Sequence, residues 1–178
     1  MVPNLETERL LLRERKMTDL EDCLQMDRDP EVVKHIPEIR ELLESGLSAE
    51  RQKAFITDRM QKEYPNGLGY WTIELKQEPG VFLGWVMLIP LDAIGPEIEA
   101  GWRLNRDSWG KGFATEASKA VIRHGFGSLE LSELVCDIHP KNGASIKVAE
   151  KLGFAGKSTT SDGYVRYRLK ADDFDFAP

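Results

Sequence analysis

The chain has 178 residues, 41% of them hydrophobic and 30% charged, and a formal net charge of −6 at pH 7. That length and balance fit one globular domain with its own core, residues 1–178, and exclude a disordered or fibrous chain. The acidic balance excludes the concentrated basic surface that nucleic-acid phosphates require, and the longest apolar stretch, residues 81–91, is broken by Gly84 and Pro90 and is too short to span a bilayer.

In chain order, residues 1–6 lack the basic segment and apolar run of a secretory signal, so a cytoplasmic location is expected. The first predicted strand covers residues 9–13. Thr18 then offers an N-cap for a helix reaching Met26, because its hydroxyl can accept a first-turn amide. Pro30 and Pro37 interrupt the chain beyond it, and an acidic helix lies near Glu38, Glu41 and Glu44. A longer helix is predicted over residues 48–63, with Phe55, Ile56 and Met60 at helical spacing, ending at Pro65-Asn66-Gly67. Strands come next at residues 69–75, at 81–89 after a Pro79-Gly80 turn, and at 98–104. In the last, Ile98, Ala100, Trp102 and Leu104 alternate with Glu97, Glu99, Gly101 and Arg103, so the two sets face opposite sides of a sheet. A helix at 111–126, a strand at 134–138, a helix at 142–152 and a closing hairpin of 154–157 with 165–169 complete the chain. Antiparallel strands succeeded by strand-helix alternation give an α+β fold, a mixed sheet covered by helices. Cys23 and Cys136 have no further Cys or His at ligand spacing and are expected to be buried free thiols, with no metal site and no disulfide.

Chemistry concentrates where a strand runs into a helix through two glycines, Trp109-Gly110-Lys111-Gly112-Phe113-Ala114-Thr115. Glycine lets backbone approach a ligand closely, and a helix start offers unpaired amides and a positive dipole end to an anion. The segment is not a Walker loop, because Gly112 stands where Ser or Thr must come after Gly-Lys and Asn105 stands where the leading glycine belongs. Nor is it a dinucleotide fingerprint, which needs a third glycine where Thr115 stands.

Residues 109–117 resemble the acyl-CoA pyrophosphate loop of the GNAT acetyltransferases, in their RimJ/RimL-like branch. Thr7-Glu8-Arg9-Leu10-Leu11-Leu12-Arg13, Phe82-Leu83-Gly84-Trp85-Val86 and Glu99-Ala100-Gly101-Trp102-Arg103-Leu104 resemble three strands of that branch. Asn142-Gly143-Ala144-Ser145 with Glu150-Lys151-Leu152-Gly153-Phe154 resembles its last conserved helix and the strand after it. Trp109 departs from the Gln or Arg usual in the wider superfamily, although Trp is common in this branch. The resemblance implies a mostly antiparallel twisted sheet of about six to seven strands, splayed between the fourth and fifth. It implies acetyl-CoA as co-substrate, held by Leu104, Trp109, Gly110, Lys111, Gly112, Phe113, Ala114, Thr115 and Asn142. It also implies transfer to an amine, with Glu99 as base, directly or through water, and Ser145 as acid.

Each of these roles has a structural competitor. Glu97 projects from the same face as Glu99, and either could be a solvated strand carboxylate. Asn142 could serve only as an N-cap, and Ser145, with Val148, Ala149 and Leu152 at helical spacing, only as packing. His35, His124 and His139 are scattered and have no triad partner. Trp71, Trp85 and Trp102 read as core. The resemblance also implies that a backbone amide near Arg103 and Leu104 meets the developing oxyanion, which leaves Arg103 itself without a role. The expected partners are acetyl-CoA and an amine acceptor, a peptide N-terminus or a small amine, with the chain acting as monomer or homodimer. A CoA-binding module without catalysis is the alternative.

Overall fold

The computed structural model describes residues 1–44 and 49–176. Its frame is one eight-stranded sheet in the order β1-β2-β3-β4-β5-β6-β8-β7. The strands are β1 (Leu5–Glu6), β2 (Leu10–Glu14), β3 (Gly69–Leu75), β4 (Glu78–Pro90), β5 (Ile98–Leu104), β6 (Glu133–Ile138), β7 (Ala155–Thr159) and β8 (Val165–Lys170). Every neighbouring pair is antiparallel except β5 and β6. The count exceeds the expected six to seven because β1, two residues long, pairs Leu5 with Leu12. A two-residue strand carries no periodicity for the sequence to display. The splay expected between the fourth and fifth strands falls between β5 and β6, since β1 advances the count by one. Here the strands share one register pair among the described residues, Glu99 opposite Val135.

Five helices cover the sheet: α1 (Leu20–Asp27), α2 (Pro37–Glu44), α3 (Ala49–Gln61), α4 (Phe113–Gly127) and α5 (Gly143–Lys151). The expected start of α3 at Ser48 lies outside the described residues. Ala100 and Leu104 of β5 are buried against Phe113, Ala117, Val121 and Ala149 of α4 and α5. On the other face, Trp85, Met87 and Ile89 of β4 join Cys23, Leu24, Met26, Ile39 and Ile56 of α1–α3. Their register partners are Arg103, Gly101 and Glu99, so the alternation read in β5 holds, and Glu99 shares the α1–α3 side. Trp71 and Trp85 are core, as expected, whereas Trp102 is only partly buried. Cys23 and Cys136 are buried and free. No helix among the described residues is long and apolar enough to cross a membrane.

Three local expectations need correction. Thr18 caps nothing; it sits inside a 3-10 turn, Met17–Asp19, and the buried residue there is Asp19. Its carboxylate accepts the Lys16 amide at 2.9 Å, the Thr72 hydroxyl at 2.9 Å and the Arg13 guanidinium at 2.8 and 2.9 Å. Burial alone would raise that carboxyl, but these donors outweigh it and hold it below its ordinary value. The β3–β4 turn is not at Pro79-Gly80 but at Lys76 and Gln77. The register shifts on both sides of Glu74, and Glu74 accepts the Gly80 amide at 3.0 Å, drawing Pro79 and Gly80 into β4. Helix α4 begins at Phe113 rather than Lys111, because Gly112 at its N-cap is left-handed.

Candidate active site

The glycine turn leaves β5 through a 3-10 turn, Arg106–Ser108, and enters α4. Gly110 and Gly112 adopt φ of +74° and +82°, a region open to glycine and costly for other residues. The first intrahelical bond runs from the Glu116 amide to the Gly112 carbonyl, so the amides of Phe113, Ala114 and Thr115 precede it, and no side chain caps them. An anion can take those amides.

Glu116 braces the turn from behind. It accepts from the Thr7 hydroxyl at 2.5 Å, from the Arg9 amide at 3.0 Å and from the Arg9 guanidinium at 2.6 and 2.7 Å. Its carboxyl lies below the ordinary value because those donors outweigh the effect of burial. Trp109 is 44% exposed, and its indole N–H donates to the Leu104 carbonyl at 2.9 Å. An exposed ring tethered in this way can lie along a ligand.

A cleft of about 520 Å³ opens beside the turn. Its walls include Leu104, Trp109, Gly110, Gly112, Phe113, Ala114 and Thr115 on one side and Asn142, Ser145 and Val148 on the other. Lys111 is exposed and does not line it. Asn142 accepts the Ser145 amide at 3.2 Å as the N-cap of α5, and it also faces the cleft, so the capping reading and the ligand reading coexist. Lys141, Lys147 and Lys151 add three ammonium groups to the same wall, which suits a polyanionic ligand. Among the described residues, no group of three or more His, Cys, Asp or Glu is placed to hold a metal ion.

The cleft draws its lining from both faces of the sheet beside the split between β5 and β6, with Leu104 on the α4 side and Arg103, Val32, His35 and Ile36 on the α1–α3 side. The Asn105 amide donates to Leu83 of β4 at 2.9 Å, so by alternation the Leu104 amide points away from β4, toward the split. At the closed end of the split stands Glu99, outside the cleft lining, on the α1–α3 side. Burial pushes its carboxyl up to about 7; Asp137 and Asp92 add to the rise, and Arg166 and Arg59 oppose it. Glu97 is differently placed. Arg166 donates to one of its carboxylate oxygens at 2.6 Å and Arg168 contacts the other at 2.7 Å. Those same guanidinium groups bind Asp137 and Glu133 at 2.6 Å. Both Glu97 oxygens are thus engaged in charge-assisted contacts with β8, whereas Glu99 makes no such pair among the described residues.

Two residues with no sequence signal also enter the picture. Arg103, which lines the cleft, pairs with buried Asp27 of α1 at 2.8 Å and lies 4.8 Å from the Trp85 ring, an anchor between β5 and α1 that the sequence left without a role. His35 also faces the cleft and stacks on His139. The two are far apart in sequence, and no spacing rule could join them.

A family model described as an acetyltransferase (GNAT) domain matches residues 9–155. The N-acetyltransferase p20 of Bacillus licheniformis is 30% identical over 168 residues, 89% of this chain and 85% of its own. YkkB of Bacillus subtilis (strain 168) is 34% identical over 111 residues, 61% of this chain and 64% of its own length. Among solved structures, an acetyltransferase from Agrobacterium tumefaciens str. C58 superposes with a TM-score of 0.74 at 26% identity, covering 95% of each chain. RimL, a ribosomal L7/L12 alpha-N-protein acetyltransferase solved with coenzyme A, superposes with a TM-score of 0.72 at 15% identity, covering 96% of this chain and 99% of its own. The left-handed glycine turn, the split sheet and these matches agree: the chain belongs to the GNAT acetyltransferases, which draw their acetyl group from acetyl-CoA.

Proposed function

We propose that this protein transfers an acetyl group from acetyl-CoA to a primary amine, the α-amine of a peptide N-terminus or the amine of a small molecule, by direct attack in a ternary complex. The observation that carries the reading is the split itself, with the glycine turn and cleft beside its open end and the Glu99 carboxyl, pushed up to about 7 by burial, at its closed end. Acetyl-CoA supplies an acetyl group as a thioester. The amides of Phe113, Ala114 and Thr115 and the turn from Gly110 to Gly112 bind its pyrophosphate, Trp109 and Asn142 flank the arm, and Lys111 contributes its backbone. The Leu104 amide, aimed into the split, stabilises negative charge on the carbonyl oxygen. Glu99 takes a proton from the attacking nitrogen; a carboxyl near 7 is matched to that task at neutral pH. Ser145 returns a proton to the departing sulfur.

A thiol-release screen over N-terminal peptides, amino acids, polyamines and aminoglycosides tests the reading. One acceptor class should release CoA thiol well above the rest. Release by none would leave a CoA-binding module without catalysis.

The same assignments set two quantitative expectations. A thiolate is a good leaving group, because a thiol is far more acidic than an alcohol or an amine, so losing its acid is a modest handicap. Ser145→Ala should lower kcat by about tenfold, below the ~10²- to 10⁴-fold of general acid–base catalysis at a poorer leaving group, with KM for acetyl-CoA little changed; a steady-state comparison reads both. Lys147 and Lys151 are exposed and screened, so exchanging both for Gln should raise KM for acetyl-CoA only about threefold to tenfold, at roughly 0.2–1 kcal/mol per exposed pair. The effect should fade in high salt and should be absent with an acetyl-pantetheine thioester, which lacks the nucleotide.

A further inference from the structure

Three segments distant in the chain meet beside the cleft. His35, between α1 and α2, stacks on His139, which comes directly after β6; the ring centroids are 5.0 Å apart and the planes 24° apart. Tyr164, between β7 and β8, stands edge-on to His139 at 5.7 Å and donates its hydroxyl to the His35 carbonyl at 3.2 Å. Both histidines connect to the site. His35 lines the cleft together with Val32 and Ile36, and the His139 carbonyl accepts the amide of Asn142, the residue that caps α5 at Ser145, at 2.8 Å.

We infer that His35, His139 and Tyr164 form a latch that holds the Asn142–Ser145 turn against the Val32–Ile36 side of the cleft. The latch is closed only while both imidazoles are neutral, so the protein loosens its grip on CoA as they take up protons. The inference rests on the CoA reading of the cleft.

The chemistry of the pair sets the direction. His139 Nδ1 accepts the Lys141 amide at 3.2 Å, which places the proton of the neutral ring on Nε2. A second proton must go to Nδ1, where it turns an acceptor into a donor facing a donor and breaks that bond. Two imidazolium rings at stacking distance also repel. The surroundings do not compensate. Burial, His139 and Lys34 lower the His35 imidazole, Arg40 adds to this, and Glu31, the opposing anion, is already bridged to Lys34 at 3.3 Å. Around Tyr164 the charged neighbours are Glu38 and Asp162; the latter takes a hydrogen bond from Thr160, and the former lies 4.0 Å from Arg59. Lys141 is the nearest cation in the chain after His139. The stack and the Nδ1 bond therefore disfavour protonated rings by their geometry, and the ordinary imidazole value of about 6.5 sets where protonation competes with closure. Closure is favoured above that pH and is lost as pH falls below it.

The test is the dissociation constant of CoA, measured calorimetrically at pH 7.5 and 5.5. The parent is compared with a double variant, His35→Phe with His139→Asn. Phenylalanine keeps a ring that can stack, and an asparagine oxygen can accept the Lys141 amide as in an Asx turn, but neither takes up a proton. The phosphates of CoA and Glu99 titrate in both proteins, so the ratio between the two pH values isolates the latch. The parent should bind CoA about tenfold more weakly at pH 5.5, equivalent to about 1.4 kcal/mol, and the double variant should lose much less. Tyr164→Phe should weaken binding at both pH values, and more at pH 5.5, where closure is already marginal. Equal weakening in parent and double variant, or a parent indifferent to pH, overturns the latch; a parent that binds no CoA at either pH removes the donor reading and the latch with it. Should the double variant fail to fold, His139→Asn alone serves the same comparison.

Discussion

Replacing Glu99 by Gln is expected to lower kcat by about 10²- to 10⁴-fold, the range for removal of a general base, while CoA affinity stays within a few-fold of the parent. The separation comes from position: Glu99 lies at the closed end of the split and outside the cleft lining. The parent should gain activity as pH rises through about 7, where the carboxyl loses its proton, and the variant should lack that limb. Steady-state pH profiles with saturating acetyl-CoA separate this limb from the latch, which acts on donor affinity. A stability readout is independent of both. The folded carboxyl titrates near 7 and the unfolded one near 4.3. Between those values the unfolded chain is ionised first, so the parent loses stability as pH rises from about 4.3 to 7. Glu99→Gln removes that loss, and its Tm relative to the parent should be higher at pH 8 than at pH 4. A variant with undiminished kcat would take the base role away from Glu99.

Features with a short-range cause were readable from the sequence. The alternation in β5 placed Glu99 opposite the Ala100 and Leu104 face because strand period is two and one face must be buried. Gly110 and Gly112 announced a turn that backbone and ligand can share closely, and Asn142 announced a cap. What failed depended on distant partners. Thr18 was the expected cap, yet Asp19 took the structural role because Arg13 and Thr72 converge on it from two strands. Glu97 and Glu99 are alike by position; Arg166 and Arg168 on β8 distinguish them, and no spacing links β5 to β8. His35 and His139 meet only once β6 has been placed beside β5. Chemistry in this fold is assembled across a gap in the sheet, so the group on each side is legible and their meeting is not.

The glycine turn supplies the second large effect. Gly110→Ala and Gly112→Ala should each weaken CoA binding by about tenfold, and the double variant by up to about 100-fold, because a left-handed alanine costs roughly 1–2 kcal/mol. At Gly110 an added methyl would meet nothing within 4 Å, so any loss there is conformational. At Gly112 it would lie 3.4 Å from Arg9 Nη2, an ordinary van der Waals contact with an exposed side chain. The two single variants should therefore lose affinity by a similar factor, set at both sites by the left-handed backbone. The cost should appear in binding more than in folding, since an unliganded turn can relax out of the left-handed region and must return to it when the phosphates take the amides. Because the residues share one turn, relaxation at one site eases the other, which makes 100-fold a ceiling for the pair. Calorimetric titration of CoA into the three variants, with Tm measured alongside, decides the matter: unchanged CoA affinity would show that the pyrophosphate is held elsewhere, and equal losses in affinity and Tm would show that these glycines serve the fold before they serve the ligand.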